Sequence, residues 1–242
     1  MSFFYDASLV FLPSGGAGKD TKAYSVKPTD GSGDFTFSRG SNLTATRVDS
    51  NGLIEKGREN LLLQSNQFDT TWGTPNTDVT SGESGYDGSS DAWLLEADVA
   101  ASSANMNQSA SISGVMTASI YAKEGTTNWF RFSINDSGVN TRAWFNLSGS
   151  GAVGTTAGNI IDANIESVGN GYFRCSITFN ATAANLYLFI ANADSSISYS
   201  VGDNIYIQDA QLEQGLVATE YIESGASTGL SGILEDSPRF DY

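Results

Sequence analysis

Four stretches of this chain place an apolar residue at every second position, and that period constrains the fold more than any other feature. Phe130, Phe132 and Ile134 form one set; Ala143, Phe145 and Leu147 form a second. Phe173, Cys175, Ile177 and Phe179 form a third, and Leu186, Leu188 and Ile190 a fourth. Successive side chains of a strand point to opposite sides, so each set marks one strand face turned toward a core. Clusters of Gly, Asn, Asp and Ser separate the sets, among them Asn135-Asp136-Ser137-Gly138 and Gly169-Asn170-Gly171. Such clusters supply the backbone conformations of tight turns. Asn51-Gly52, between residues 44–48 and 52–55, predicts a further hairpin. No stretch sustains the i, i+3, i+4 spacing of an amphipathic helix over three turns. The expected fold is all-β, a two-sheet jelly-roll sandwich of eight or more strands.

The pattern also divides the chain. Residues 1–40 lack the regular alternation; a short apolar stretch over 3–12 runs into Pro13-Ser14-Gly15-Gly16-Ala17-Gly18, a flexible joint. This region is expected to be an extended N-terminal arm that anchors on a neighbour. Residues 41–222 are expected to form the sandwich. Residues 223–242 are a C-terminal extension packing back on the sandwich or onto another subunit. Within it, Ser231-Gly232-Ile233-Leu234-Glu235 echoes Asn51-Gly52-Leu53-Ile54-Glu55.

Composition excludes several functions. The formal charge of −15 opposes contact with nucleic acid phosphates and anionic membranes. The chain contains no histidine, so it lacks the commonest general base and the commonest metal ligand. Triads built on histidine are impossible, and a glycosidase-type carboxylate pair is the chemistry that remains. Glu96, Glu124, Glu166 and Glu213 are candidates, but no spacing singles out two, and the chain is read as non-enzymatic. Cys175 is the single cysteine and shares the phase of Phe173 and Ile177, which makes it a small core residue. Gly15-Gly16-Ala17-Gly18-Lys19 fails the phosphate-loop pattern, since Pro13 and Asp20 occupy required positions. The N-terminus lacks the basic and apolar regions of a signal peptide, and no apolar run is long enough for a membrane span.

The opposite phase of the same strands carries the candidate binding residues. If Phe130 and Phe132 face inward, Trp129 and Arg131 face outward. By the same parity Arg142 and Trp144, Tyr172 and Arg174, and Tyr187 lie on outer faces. Aromatic rings flanked by arginine suit a saccharide, whose C–H faces stack on rings while its hydroxyls take hydrogen bonds. They suit a subunit contact equally well.

Several segments resemble a known family. Phe35-Thr36-Phe37-Ser38-Arg39-Gly40-Ser41, Ala45-Thr46-Arg47-Val48-Asp49-Ser50-Asn51-Gly52-Leu53-Ile54-Glu55 and Glu59-Asn60-Leu61-Leu62-Leu63-Gln64-Ser65-Asn66-Gln67-Phe68 are three of them. Val168-Gly169-Asn170-Gly171-Tyr172-Phe173-Arg174-Cys175 is another, as are Ile205-Tyr206-Ile207-Gln208-Asp209-Ala210-Gln211-Leu212-Glu213-Gln214-Gly215 and the closing Asp236-Ser237-Pro238-Arg239-Phe240-Asp241-Tyr242. Together they resemble phage structural proteins (tail fibre, appendage or decoration) with a carbohydrate-binding-module-like or lectin-like jelly roll. The resemblance implies a component of the virion exterior, tail or capsid. Its implied partners are other virion proteins, further copies of itself (a homo-oligomer, with a trimer favoured) and host cell-surface polysaccharide. Related sandwiches often hold a structural calcium between the first and last strands, where Asp69 and Asp209 are the available carboxylates. A free carbohydrate-binding module of a polysaccharide-processing system and a glycan depolymerase are the rival functions.

Overall fold

The computed structural model describes residues 22–23, 28–30, 32, 35–36, 46–48, 54–56, 58–136, 138–181 and 184–230. The chain divides into two compact units, one over residues 59–229 and one over 1–58 with 230–242. In the latter, two short antiparallel pairs are described: Lys22–Ala23 with Phe35–Thr36, and Thr46–Val48 with Ile54–Lys56. The second pair is the hairpin expected around Asn51-Gly52. Most of the expected arm and the echo at 231–235 lie outside the described residues.

The unit over 59–229 is a two-sheet antiparallel sandwich, as the alternation predicts. Its long strands are β1 Thr77–Glu83, β2 Ala92–Ala97, β3 Asn105–Ala110, β4 Gly114–Glu124, β5 Trp129–Asp136 and β6 Val139–Asn146. They continue with β7 Ala152–Ala157, β8 Ile160–Gly169, β9 Tyr172–Ala181, β10 Ala184–Ala191 and β11 Asn204–Gln214. One sheet has the order β7-β6-β5-β10-β3 and the other β8-β9-β4-β11-β2-β1. Neighbours in space are often distant in sequence, as a jelly-roll path requires.

All four period-two sets enter the core between the sheets. Phe130, Ile134, Phe145, Cys175, Ile177, Phe179 and Ile190 are fully buried there. Burial pushes the Cys175 thiol pKa up, which keeps it protonated and inert. The turns expected between the sets close the β5–β6 and β8–β9 hairpins. Gly169, Asn170 and Gly171 have φ of 96°, 53° and 79° in succession, a path that L side chains other than Asn and Asp resist.

Residues 61–76, which precede β1, seal one end of the sandwich. Phe68 packs edge-on against Trp72 and Trp93 at centroid distances of 5.3 and 5.9 Å. Asn60, fully buried, joins this segment to the last strand. Its Nδ2 donates to the carbonyls of Ala210 and Ile222, and its Oδ1 accepts from the amides of Leu62 and Leu212. Both hydrogens of the amide and both lone pairs of its oxygen are thereby used.

Strand β11 contains an irregularity with consequences for both its faces. Its pairing with β4 runs from Gln208 opposite Tyr121 to Gln211 opposite Ser119, which leaves an extra residue on β11. Asp209 takes φ of 53° at this bulge. Core residues therefore change parity, from Ile205 and Ile207 before it to Ala210 and Leu212 after it.

Candidate functional site

The sandwich has two outer faces, and the seven candidate contact residues are split between them. Trp129, Arg131, Arg142, Trp144 and Tyr187 lie on the outer face of the five-stranded sheet. Tyr172 and Arg174 lie on the outer face of the six-stranded sheet. Strand pairing decides this division: β5 sits between β6 and β10, whereas β9 pairs with β4 and β8.

On the five-stranded sheet, register brings five of the candidates into adjoining rows. Arg131 stands opposite Trp144 on one side and Phe189 on the other, with Asn105 beyond Phe189. In the next row Ser133 stands between Arg142 and Tyr187, with Asn107 beyond Tyr187. Trp129 begins β5 at the end of the patch, opposite Asn146 and Ala191. Trp129, Arg142, Tyr187, Phe189 and Asn107 are half-buried, while Arg131, Ser133 and Trp144 are buried.

The rings and guanidiniums form one stacked array. Tyr187 and Phe189 stack at 5.6 Å. The Arg131 guanidinium carbon lies 3.9 Å from the Phe189 ring centre and 5.5 Å from that of Trp144. Arg142 approaches the same Trp144 ring at 5.6 Å. A loop over residues 192–203 braces the edge of this array. Trp144 Nε1 donates to the Ser196 carbonyl at 2.6 Å, and Asp194 accepts from the amide and hydroxyl of Thr155. Those bonds, the Thr155 amide first, lower the Asp194 carboxyl pKa.

The polar atoms of this face are incompletely partnered. Arg131 Nε, Arg142 Nε and Ser133 Oγ are buried and make no hydrogen bond with any described residue. Burial, with the like charge of Arg142 acting second, pushes the Arg131 pKa down to about 10. Arg131 thus remains charged at neutral pH, in contact with aromatic rings, beside another cation.

The outer face of the six-stranded sheet is covered instead. Its roof is the loop over residues 84–91 and the segment over 215–224. Tyr86 stacks on Tyr121 at 3.8 Å with rings 4° from parallel, and its hydroxyl donates to Asp209 Oδ2. Tyr172 has no exposed surface and donates its hydroxyl to the Ser84 carbonyl. Lys123 lies over the rings of Tyr172 and Tyr206. Arg174 donates to the Thr219 carbonyl and the Ser119 hydroxyl, although its Nε has no partner. Glu213, one of the carboxylates considered for catalysis, is buried and accepts from Gln211 and from the amide and hydroxyl of Thr219. A cavity of about 140 Å³ on this side is lined by Asp162, Glu166 and Arg174 among others. It is small beside the ~300 Å³ at which ligand pockets begin.

Asp69 and Asp209, the calcium candidates, occupy different environments. Asp69 is exposed and accepts from the Thr70 hydroxyl. Asp209 is buried, which raises its carboxyl pKa to about 7; the Tyr86 hydroxyl opposes the shift, and the charges of Asp91, Asp87 and Glu223 add to it. Among the described residues, no three His, Cys, Asp or Glu side chains are grouped to hold a metal ion.

Sequence parity alone did not single out Phe189, Ser133 or Asn107. Phe189 shares the phase of Tyr187 two residues earlier, so the signal was available. Ser133 and Asn107 become significant only through their cross-strand partners.

No protein-family profile and no curated protein matches this sequence. Solved structures similar to it include the enzymatically active domain of tailspike protein 4 of bacteriophage CBA120, at 17% identity and a TM-score of 0.39. Another is a Clostridium thermocellum xylanase comprising CBM22-1 and GH10 modules in complex with xylohexaose, at 14% identity and a TM-score of 0.38. A sugar-binding protein of Bacteroides thetaiotaomicron aligns at 13% identity and a TM-score of 0.35. The alignments cover 63%, 68% and 64% of this chain, and 21%, 30% and 100% of the respective structures. The chain therefore spans less than a third of the length of the first two.

Proposed function

We propose that this chain is a non-enzymatic saccharide-binding module on the exterior of a tailed-phage or phage-like particle, and that it meets the sugar with the outer face of the five-stranded sheet. The observation that carries this reading is the stacked array of Tyr187, Phe189 and Arg131, joined through the Trp144 ring to Arg142, with Trp129 at its end. The rings of Trp129, Tyr187 and Phe189 are half-buried, and neither guanidinium donates a hydrogen bond to a described residue. Rings give a flat surface for sugar C–H groups, and the surrounding donors orient hydroxyls. The virion setting is supported by the resemblance of residues 35–55, 59–68 and 205–215 to phage structural proteins. Display in several copies, a trimer in a fibre, adds avidity to individually weak contacts.

The test is binding of the purified protein to a panel of microbial polysaccharides, beside Trp129→Ala and Tyr187→Ala. The expected result is binding by the parent and at least ~10-fold weaker binding by each variant, the ~1.4 kcal/mol scale of one lost stacking contact. Melting temperatures should stay close to the parent. Unchanged binding in both variants would remove this face from the reading. Labelled antibody on intact particles tests the setting: label on the tail or capsid supports it, and unlabelled particles would favour a free binding module.

A further inference from the structure

The five-stranded face contains a local excess of positive charge in a molecule whose net charge is −15. Arg131 is only 8% exposed, and the charged group acting on it is another arginine. Burying a cation without a carboxylate partner disfavours folding, because guanidinium loses hydration without compensation. The half-buried Arg142 approaches the same Trp144 ring as Arg131. No hydrogen bond from either guanidinium to a described residue accompanies these ring contacts, and Ser133 Oγ between them is equally unpartnered. The Asp194 carboxylate, next to the Trp129 ring at the edge of the face, is engaged by Thr155 and Ser195.

The opposite face shows what the same residue type looks like when its role is structural. Arg174 also lies over a tyrosine ring, at 5.4 Å, but it donates to the Thr219 carbonyl and the Ser119 hydroxyl. Arg131 and Arg142 have the ring and lack the acceptors. A planar guanidinium presents its N–H groups as a fork that matches two oxygens of an anion, and lysine or amide side chains do not reproduce that match. The acceptor missing from this face is therefore an oxyanion brought by the ligand.

We infer that the ligand of this face is an acidic saccharide, with a carboxylate or sulfate group held by Arg131 and Arg142 and its sugar ring on Trp129, Tyr187 or Phe189. The inference rests on the saccharide reading above and adds the charge class of the ligand. The surrounding protein is acidic, so attraction is confined to the arginine pair. A polyanion is drawn in by contact and not by long-range steering.

The experiment compares three oligosaccharide probes of similar length by calorimetry: a hexuronate, a sulfated galactan fragment and a neutral xylan fragment. The parent, Arg142→Gln, Arg131→Lys and Trp129→Ala are each titrated, and light scattering records the oligomeric state of each. The expected result is that at least one acidic probe binds ~10-fold or more tightly than the neutral one, a difference of ~1.4 kcal/mol. Arg142→Gln should erase that preference, and Arg131→Lys, which keeps the charge and loses the fork, should weaken it. A hexuronate preference assigns the anion as carboxylate and a sulfated-probe preference assigns it as sulfate. Neutral binding equal to acidic binding, lowered by Trp129→Ala but indifferent to Arg142→Gln, would overturn the acidic ligand and leave the saccharide reading intact. No binding of any probe, with an oligomeric state altered by Arg142→Gln, would overturn both and make the face a protein contact.

Discussion

The two outer faces of this sandwich carry nearly the same residue types and treat them differently. On the six-stranded side, Tyr121, Tyr172 and Arg174 lie beneath the segment over 215–224 and a loop that contributes Tyr86. The hydroxyls of Tyr86 and Tyr172 and the guanidinium of Arg174 reach the Asp209 carboxylate, a carbonyl, and a carbonyl with a hydroxyl, respectively. On the five-stranded side, Tyr187, Phe189, Trp144, Arg131 and Arg142 stack in one array, and neither guanidinium donates a hydrogen bond to a described residue. On the function proposed above, the difference separates a structural role from a binding role. Polar groups that stabilise a fold are satisfied by the fold, and groups that wait for a ligand are the exceptions.

The largest expected effect lies at the junction that ties down the covered side. Asn60→Ala removes four hydrogen bonds, including those to Ala210 and to Ile222 of the covering segment. It leaves their buried partners unsatisfied, and should cost about 4 kcal/mol in urea unfolding. Saccharide affinity per folded molecule should not change. A loss of affinity equal to the loss at Trp129→Ala would break the division between the faces.

Asp209 gives the covered side a pH signature. Its folded pKa of about 7 lies above the usual value of about 3.9, chiefly because of burial. The protonated form is favoured in the folded state, so its contribution is fully present below pH ~4 and is lost as pH rises through ~7. Melting temperature should fall across that interval by the equivalent of roughly 2–4 kcal/mol. Asp209→Asn should flatten the profile, since Asn tolerates the left-handed backbone at this bulge and still accepts from Tyr86. A parent profile flat between pH 4 and 8 would show that the carboxyl is not held this way.

The smallest stability effect is expected on the open face. Arg131→Met preserves length and the contact with Phe189 while removing a buried, unpartnered charge. Unfolding free energy should stay within about 1 kcal/mol of the parent, or rise, although binding of an acidic probe is lost. Destabilisation by several kcal/mol would mean that Arg131 serves the fold as Arg174 does.

Much of this architecture was legible because it depends on a local rule. Alternation at 130–134, 143–147, 173–179 and 186–190 placed every one of those residues in the core, and the turn clusters fell where strands reverse. The same parity set Trp129, Arg131, Arg142, Trp144 and Tyr187 on outer faces. It could not place Tyr172, which obeys the parity and yet is fully buried, because its cover comes from Tyr86 across 86 residues of chain. The break in parity between Ile207 and Ala210 is visible in the sequence as an extra residue. Its meaning, a bulge that buries Asp209 near Asp91 while Asp69 stays exposed, is not.

Sequence alone therefore determined which side of each strand meets the core, since that follows from a period of two and the hydrophobic effect. It also excluded histidine chemistry and made the surface acidic, because composition settles both. Only the tertiary structure decided which outward residues share a face, since β5 gains its neighbours from β6 and from β10 some fifty residues away. Only it decided which of those faces is roofed by other segments. Whether an arginine finds acceptors or lacks them is a property of the residues that pairing and packing bring to it.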